Sequence, residues 1–329
     1  MIFSAASKNK GKDLSILIAL GGNALNVDDT QGGISLKEEF FIARQAMKNI
    51  VDLVSDGYER IIITHGNGPQ VGRIFLQQEL TKEAFPRQTT LDVCVADTQG
   101  RIGYIIQNVF NNECRSRGLD KFAYSLITQV LVDVQDHAFN DPTKPIGAFY
   151  SEKEAAELSC KYGWVMKSQA KKGMRRVVPS PIPLDVIEKQ MFKQMLASNM
   201  IAIVGGGGGI PVVRRESGEL EGVEAVIDKD RTSALLANAV GIDVFIILTE
   251  SDYVYLDYGK ITEKKIENIT VDELVKHHEQ GQFPAGSMGP KVEAVISFIQ
   301  GGGTHAIIAS LFHLKEALAG KSGTHILKE

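Results

Sequence analysis

Five consecutive glycines, Gly205–Gly209, follow the apolar run Met200-Ile201-Ala202-Ile203-Val204 without a break. A buried strand that runs into side-chain-free backbone leaves main-chain N–H groups available to an anion. The device recurs twice. Leu14–Leu20 runs into Gly21-Gly22-Asn23, and Arg60–Thr64 runs into His65-Gly66-Asn67-Gly68. Open α/β sheets hold their ligands in the crevice beyond the carboxyl ends of the strands, so three such ends point to one phosphate-handling crevice.

The rest of the chain has the rhythm that such a sheet needs. Apolar runs at 14–20, 60–64, 122–127, 200–204, 244–249 and 305–311 read as buried strands, and helical patterns alternate with them. That alternation argues for an α/β fold with a mostly parallel sheet. Ser35–Glu38, Ser151–Glu154 and Thr270–Glu273 each carry the Ser/Thr-x-x-Glu box that starts a helix. Pro290 suits the first turn of a helix running to about Gln300, with Val292, Val295, Ile296 and Ile299 on one face. Residues 136–183 are rich in turns and poor in long apolar strands, and read as a small subdomain over the ligand edge of the sheet. Residues 1–13 read as a flexible N-terminal extension, and 14–329 as one domain.

Charge and composition remove several classes of function. A formal net charge of −4 gives no general attraction for nucleic acid, although it permits a local basic pocket. No apolar run approaches the roughly 20 residues of a membrane span, and no secretory signal follows Lys8, Lys10 and Lys12. Cys94, Cys114 and Cys160 lie far apart without a Cys-x-x-Cys pair, which fits a reduced, cytoplasmic setting.

The chemistry-bearing segments are short. His65–Gly72 has the spacing G-x-G-x-x-x-G, and Pro69 removes one loop N–H, so a dinucleotide fingerprint is disfavoured. The only Gly-Lys-Ser, Gly320–Ser322, has Lys315 where a P-loop needs its first glycine. Asp228-Lys229-Asp230 follows the apolar Ala225-Val226-Ile227, so a strand delivers a carboxylate–lysine–carboxylate triplet. On its own such a triplet is more often a solvated turn, but its place near the glycine run favours function. Phosphoryl transfer needs cations on developing oxyanion charge and groups that fix those cations. Lys291 stands in a first helical turn, against the helix dipole, which an anion nearby would relieve. Lys144 is framed by Pro142 and Pro145.

Taken in order, LIALGGNAL (17–25), THGNGPQVG (64–72), TQGRIGY (98–104), DPTKPIG (141–147), RRVVPSP (175–181), GGGGIPV (206–212), AVIDKD (225–230) and AGSMGPKVEA (285–294) resemble the carbamate kinases of the amino-acid-kinase superfamily. The resemblance implies an open three-layer αβα sandwich with a protruding subdomain, in a homodimer. It implies reversible, Mg²⁺-dependent transfer between carbamoyl phosphate and ADP, giving ATP and carbamate, as in the fermentation of arginine or other ureido compounds. By motif match, Lys144, Lys229 and Lys291 would neutralise the transferred group, with Asp228 and Asp230 holding them. Gly21, Gly22, Asn23, Gly66, Asn67 and Gly68 would cradle carbamoyl phosphate. Gly205, Gly206, Gly207, Gly208, Gly209, Met288, Asp230 and Lys291 would face ADP or ATP, whose phosphates would carry the Mg²⁺. The chain departs from the family pattern at Ala170–Arg175, which lacks an aromatic residue, and at Val95-Ala96-Asp97, where Asp97 adds a negative charge. Two alternatives stay open: a kinase of the same superfamily acting on another acid, and a catalytically inactive binder of nucleotide or acyl phosphate.

Overall fold

The computed structural model describes residues 13–21, 35–85, 89–169, 173–284 and 287–329. Most of the expected N-terminal extension, together with Gly22, Asn23 and residues 170–172, lies outside them.

The six apolar runs become strands Ser15–Leu20, Arg60–His65, Ala123–Ser125, Ile201–Ile203, Val244–Thr249 and His305–Ser310. They form the body of an eight-stranded sheet. Ser15–Leu20 lies at its centre, parallel to Val244–Thr249 on one side and to Arg60–His65 on the other. Ile201–Ile203 continues the parallel run outward from Arg60–His65. The sheet departs from all-parallel at one edge, where Thr324–Leu327 runs antiparallel to His305–Ser310.

The central strand is buried on both sides, and its residues alternate between two cores. Ile16, Ile18 and Leu20 pack with Met47 and Ile50 of helix Leu36–Ser55 and with Ile106 and Phe110 of helix Leu91–Ser116. Leu17 and Ala19 face the opposite core, with Ala234 and Leu236 of helix Lys229–Val240 and Val292 and Val295 of helix Gly289–Gln300. The result is a sheet between two helical layers. All three capping boxes form, each with its reciprocal side-chain and backbone bonds. Among the described residues no helix is long and apolar enough to cross a membrane.

Within the turn-rich region, strands Lys144–Tyr150, Met174–Val178 and Met166–Ser168 make a separate antiparallel sheet, flanked by helix Glu152–Tyr162. It rests on helix Gly68–Thr81 with almost no space between backbones. A Cβ on Gly72 would lie 2.2 Å from the Gly147 nitrogen. Arg176 clamps the same junction, its guanidinium 4.2 Å from the Phe75 ring and 4.5 Å from the Trp164 ring. Burial pulls this guanidinium down to about 10, although Glu224 and Glu79 oppose the shift.

Candidate active site

Strands Ser15–Leu20, Arg60–His65 and Ile201–Ile203 are neighbours and parallel, so their glycine-bearing carboxyl ends open on the same edge of the sheet. Helix Lys229–Val240 starts at this edge. Asp228 is its N-cap, accepting from the Asp230 nitrogen at 2.9 Å and the Arg231 nitrogen at 3.3 Å. The triplet expected to be a solvated turn in most chains is therefore a buried helix start, with Lys229 9 % and Asp230 3 % exposed.

Three lysines from three separate elements converge on the two aspartates. Lys144, the first residue of its strand in the small sheet, pairs with Asp228 through a short contact. Lys229 pairs with Asp230 Oδ1, also closely. Lys291 Nζ reaches the other oxygen of Asp230 at 3.1 Å from the first turn of helix Gly289–Gln300. The Asp230 carboxylate thus answers the unfavourable placement of Lys291 against its helix dipole.

The charges are mutually adjusted. Burial pushes the Asp228 carboxyl up, but Lys144, helped by Lys229, outweighs it and holds the group well below the carboxylate range. Asp230 is also lowered: burial opposes ionisation, and Lys229 and Lys291 override it. Burial draws Lys229 below the ordinary lysine value, against the pull of Asp230. For Lys291, burial works downward, yet Asp230 raises it overall. Three ammonium groups against two carboxylates leave one positive charge in excess at the edge of the sheet.

The loop after Arg60–His65 lies directly over this cluster. A Cβ on Gly66 would sit 3.4 Å from Lys229 Cδ, so glycine lets the lysine stem pass beneath. Gly68 approaches Pro145, next to Lys144, with its virtual Cβ 3.8 Å from the Pro145 oxygen. Gly21 follows the central strand and is packed against the Leu248 carbonyl, 2.5 Å from a virtual Cβ. Met288, half-buried, packs against the core beneath helix Gly289–Gln300.

The five-glycine turn is less open than the sequence implies. All five residues are buried. Three of the five amides are engaged: Gly205 donates to Thr128 Oγ1 at 2.9 Å, Gly208 to the Gly205 carbonyl at 3.0 Å and Gly209 to the Gly206 carbonyl at 3.1 Å. At most two amides are left for an anion, those of Gly206 and Gly207. Gly207, at φ 65°, also backs onto Asn67, whose Nδ2 would lie 2.1 Å from an added Cβ. The turn therefore packs behind the His65–Asn67 loop.

Three hydroxyls that the sequence did not single out, and His65 of the loop motif, complete the site. Ser233 Oγ donates to the Lys229 carbonyl at 2.6 Å and lies 2.7 Å from Thr64 Oγ1, and Thr232 Oγ1 donates to the Gly208 carbonyl at 2.7 Å. His65 is buried and neutral, pushed down to about 4 by burial, and its Nδ1 lies 3.0 Å from the Gly66 carbonyl. The signal for the hydroxyls was a polar residue on an otherwise apolar strand or helix face, as Thr64 is after Ile61-Ile62-Ile63. Asp97, one of the departures from the family pattern, is exposed on helix Leu91–Ser116. The segment 170–172 lies outside the described residues, and Met174 is a half-buried strand residue paired with Tyr150 and Ser168.

The model of the amino acid kinase family matches residues 15–310. A carbamate kinase of Pyrococcus horikoshii is 46 % identical over 313 residues, covering 94 % of this chain and 98 % of the relative. A carbamate kinase-like protein of Escherichia coli, YqeA, is 45 % identical over 314 residues, covering 94 % of this chain and 98 % of that one. Among solved structures, carbamate kinase from Giardia lamblia bound to AMP-PNP matches with a TM-score of 0.85 and 38 % identity, over 96 % of this chain and 99 % of that one.

Proposed function

The chain belongs to the amino acid kinase family and, within it, to the carbamate kinases, and we propose that it transfers a phosphoryl group reversibly between carbamoyl phosphate and ADP, yielding ATP and carbamate. The observation that carries this reading is the convergence of Lys144, Lys229 and Lys291 on Asp228 and Asp230, with one positive charge in excess. Transfer from an acyl phosphate to ADP needs no protein nucleophile. It needs in-line placement of donor and acceptor and neutralisation of the charge on the moving group. A cluster with surplus positive charge, fixed by two carboxylates of which Asp230 is buried, supplies the second requirement without reorganising during the reaction.

In this reading Lys229 and Lys144 meet the transferred group and Lys291 meets the nucleotide phosphates. Asp228 and Asp230 hold the ammonium groups and do not take up protons. Gly66, Asn67 and Gly68, with Gly21, bound the carbamoyl phosphate side. Met288 bounds the nucleotide side. The glycine turn Gly205–Gly209 supports the same side from behind through Thr232, which its Gly208 carbonyl engages. The AMP-PNP carried by the Giardia lamblia relative supports a nucleotide substrate. Mg²⁺, when bound, would screen the nucleotide phosphates. Asp228 and Asp230 are already committed to lysines. The enzyme acts as a cytoplasmic homodimer, chiefly in the ATP-forming direction, in the breakdown of arginine or related ureido compounds.

The similar identity to a carbamate kinase, 46 %, and to a carbamate kinase-like protein, 45 %, makes the acid itself the point to test. The assay is ATP formation from ADP and carbamoyl phosphate with Mg²⁺, with Lys229→Ala as the blank. Lysine-dependent ATP synthesis supports the reading. Tight ADP binding without synthesis would redirect it to another acid.

A further inference from the structure

Two adjacent residues of helix Leu91–Ser116, Thr98 and Gln99, belong to the TQGRIGY segment and have no part in the chemistry above, yet they touch both loops of the crevice. Gln99 is 2 % exposed and lies on the helix face of Val95, Ile102 and Ile106. A primary amide buried on such a face is costly unless its donors and acceptor are matched. Here all are. Its oxygen accepts from the Thr128 nitrogen at 2.8 Å, and its nitrogen donates to the Thr128 carbonyl at 3.1 Å and to the Gly206 carbonyl at 3.0 Å. Only this orientation of the amide satisfies all three partners. Thr128 in turn takes the Gly205 amide on its hydroxyl.

Thr98 serves the other loop. Its hydroxyl accepts from Asn67 Nδ2 at 2.8 Å and donates to the Val95 carbonyl at 2.6 Å. Asn67 is the side chain that backs onto Gly207. One helix turn therefore pins the glycine turn at Gly205 and Gly206 and sets the Asn67 side chain that closes over Gly207.

We propose that Thr98 and Gln99 are positioning residues that fix the glycine turn against the Gly66–Gly68 loop, and that Gln99 holds the Gly206 and Gly207 backbone in the geometry that receives a phosphate oxygen. This rests on the phosphoryl-transfer reading. The physical need is plain: a run of five glycines has more backbone freedom to lose than any other sequence, and backbone donors stabilise a developing charge only when they are fixed beforehand.

Gln99→Ala removes all three bonds. Gln99→Glu keeps the shape and the acceptor for the Thr128 nitrogen, but loses both donations and sets a carboxylate against two carbonyls. Hydrogen exchange at Gly205–Gly209, kcat, and KM for ADP and for carbamoyl phosphate are measured well below the unfolding temperature of each variant. Exchange at the turn should rise about tenfold or more in both variants while the strand Ser15–Leu20 stays protected. The kcat should fall by about 10- to 100-fold in both, Gln99→Glu at least as far as Gln99→Ala. Unchanged exchange at the turn, or a kcat that falls only with the folded fraction, would overturn the proposal. A wild-type protein that makes no ATP from these substrates defeats the reading of function, whereas the exchange data still decide whether Gln99 fixes the turn.

Discussion

The lysine–aspartate cluster and the five-glycine turn stand at the same edge of one sheet and are built on opposite terms. The cluster is all charge: three ammonium groups and two carboxylates, drawn from the small sheet and from two helix starts. The turn has no side chains at all, and neutral hydrogen bonds hold it, one donated to Thr128 and one each from Gln99 and Thr232. In the cluster, function is vulnerable to deletion, because a lost lysine takes with it the positive charge in excess. In the turn it is vulnerable to addition, because the backbone lies where a Cβ would collide. One region is tuned by electrostatics and the other by shape, and they meet at the His65–Gly68 loop.

The largest test of this contrast is Lys229→Ala. It removes the most buried cation, while Asp230 keeps Lys291 as a partner, so the fold should survive. Turnover should drop by about 10²–10³-fold or more, the scale of losing one preorganised charge-stabilising group. A variant turning over near the wild-type rate would take Lys229 out of the mechanism. Next comes Lys144→Ala. Asp228 still caps its helix through two backbone nitrogens, so stability should change little. Turnover should fall by about 10²-fold with nucleotide affinity nearly intact, because the small sheet supplies a charge to the moving group alone. Equal losses in kcat and ADP affinity would mean that Lys144 binds the nucleotide.

The turn should answer to the opposite change. Gly207→Ala keeps every charge but puts a methyl group 2.1 Å from Asn67 Nδ2 at a positive φ of 65°. Strain of about 1–3 kcal/mol is expected there, and turnover should fall by about tenfold as the Asn67 loop is pushed outward. Gly241→Ala, at φ 75° with nothing within 4 Å of its virtual Cβ, is the control that has the dihedral without the collision. If both variants lose activity alike, backbone strain rather than packing governs the turn.

What was legible in the sequence follows the same division. Six strands, three capped helices and the helix of Pro290 could be read because local periodicity and capping chemistry dictate them, but the run 122–127 is not the buried strand expected: Ala123–Ser125 lies at the sheet edge with Tyr124 exposed. The charged triplet could be read as a motif, although Ala225-Val226-Ile227, expected as its strand, is a buried segment outside any strand. The triplet's burial could not, since that depends on Lys144 arriving from 84 residues away and Lys291 from 61. The turn was legible as a turn, but its amides looked free. They are largely used up by Thr128 and by the turn itself, which no local pattern reveals. Helix Leu91–Ser116 went unread, and with it the polar pair Thr98–Gln99 on its buried face. The small sheet was visible only as an absence of long apolar runs, because its strands are short and half-exposed.

The smallest effect at neutral pH, and the one that probes the junction of the two regions, belongs to His65. Its ring lies where a Cβ on Gly206 would come within 2.5 Å of Nε2, and Lys229 is close enough to disfavour its protonation further. Burial, the main cause, holds it at about 4, whereas the unfolded chain has histidine near 6.5. The sign follows from linkage. A depressed value in the folded state means that the unfolded state binds the proton first, so the stability due to neutral His65 is complete above pH 6.5. It is lost progressively as the pH falls toward about 4 and changes no further below that. The expected loss across the window is on the order of 1–3 kcal/mol. His305, also held at about 4, titrates in the same window, so wild type alone cannot isolate the effect. Denaturant unfolding of wild type and His65→Gln between pH 7 and 4.5 can. The substitution should flatten the curve, leaving the slope that His305 and His325 supply. Parallel curves would mean that His65 takes up its proton at the same pH in the folded and unfolded states, and that the junction between cluster and turn is open enough to admit a charge.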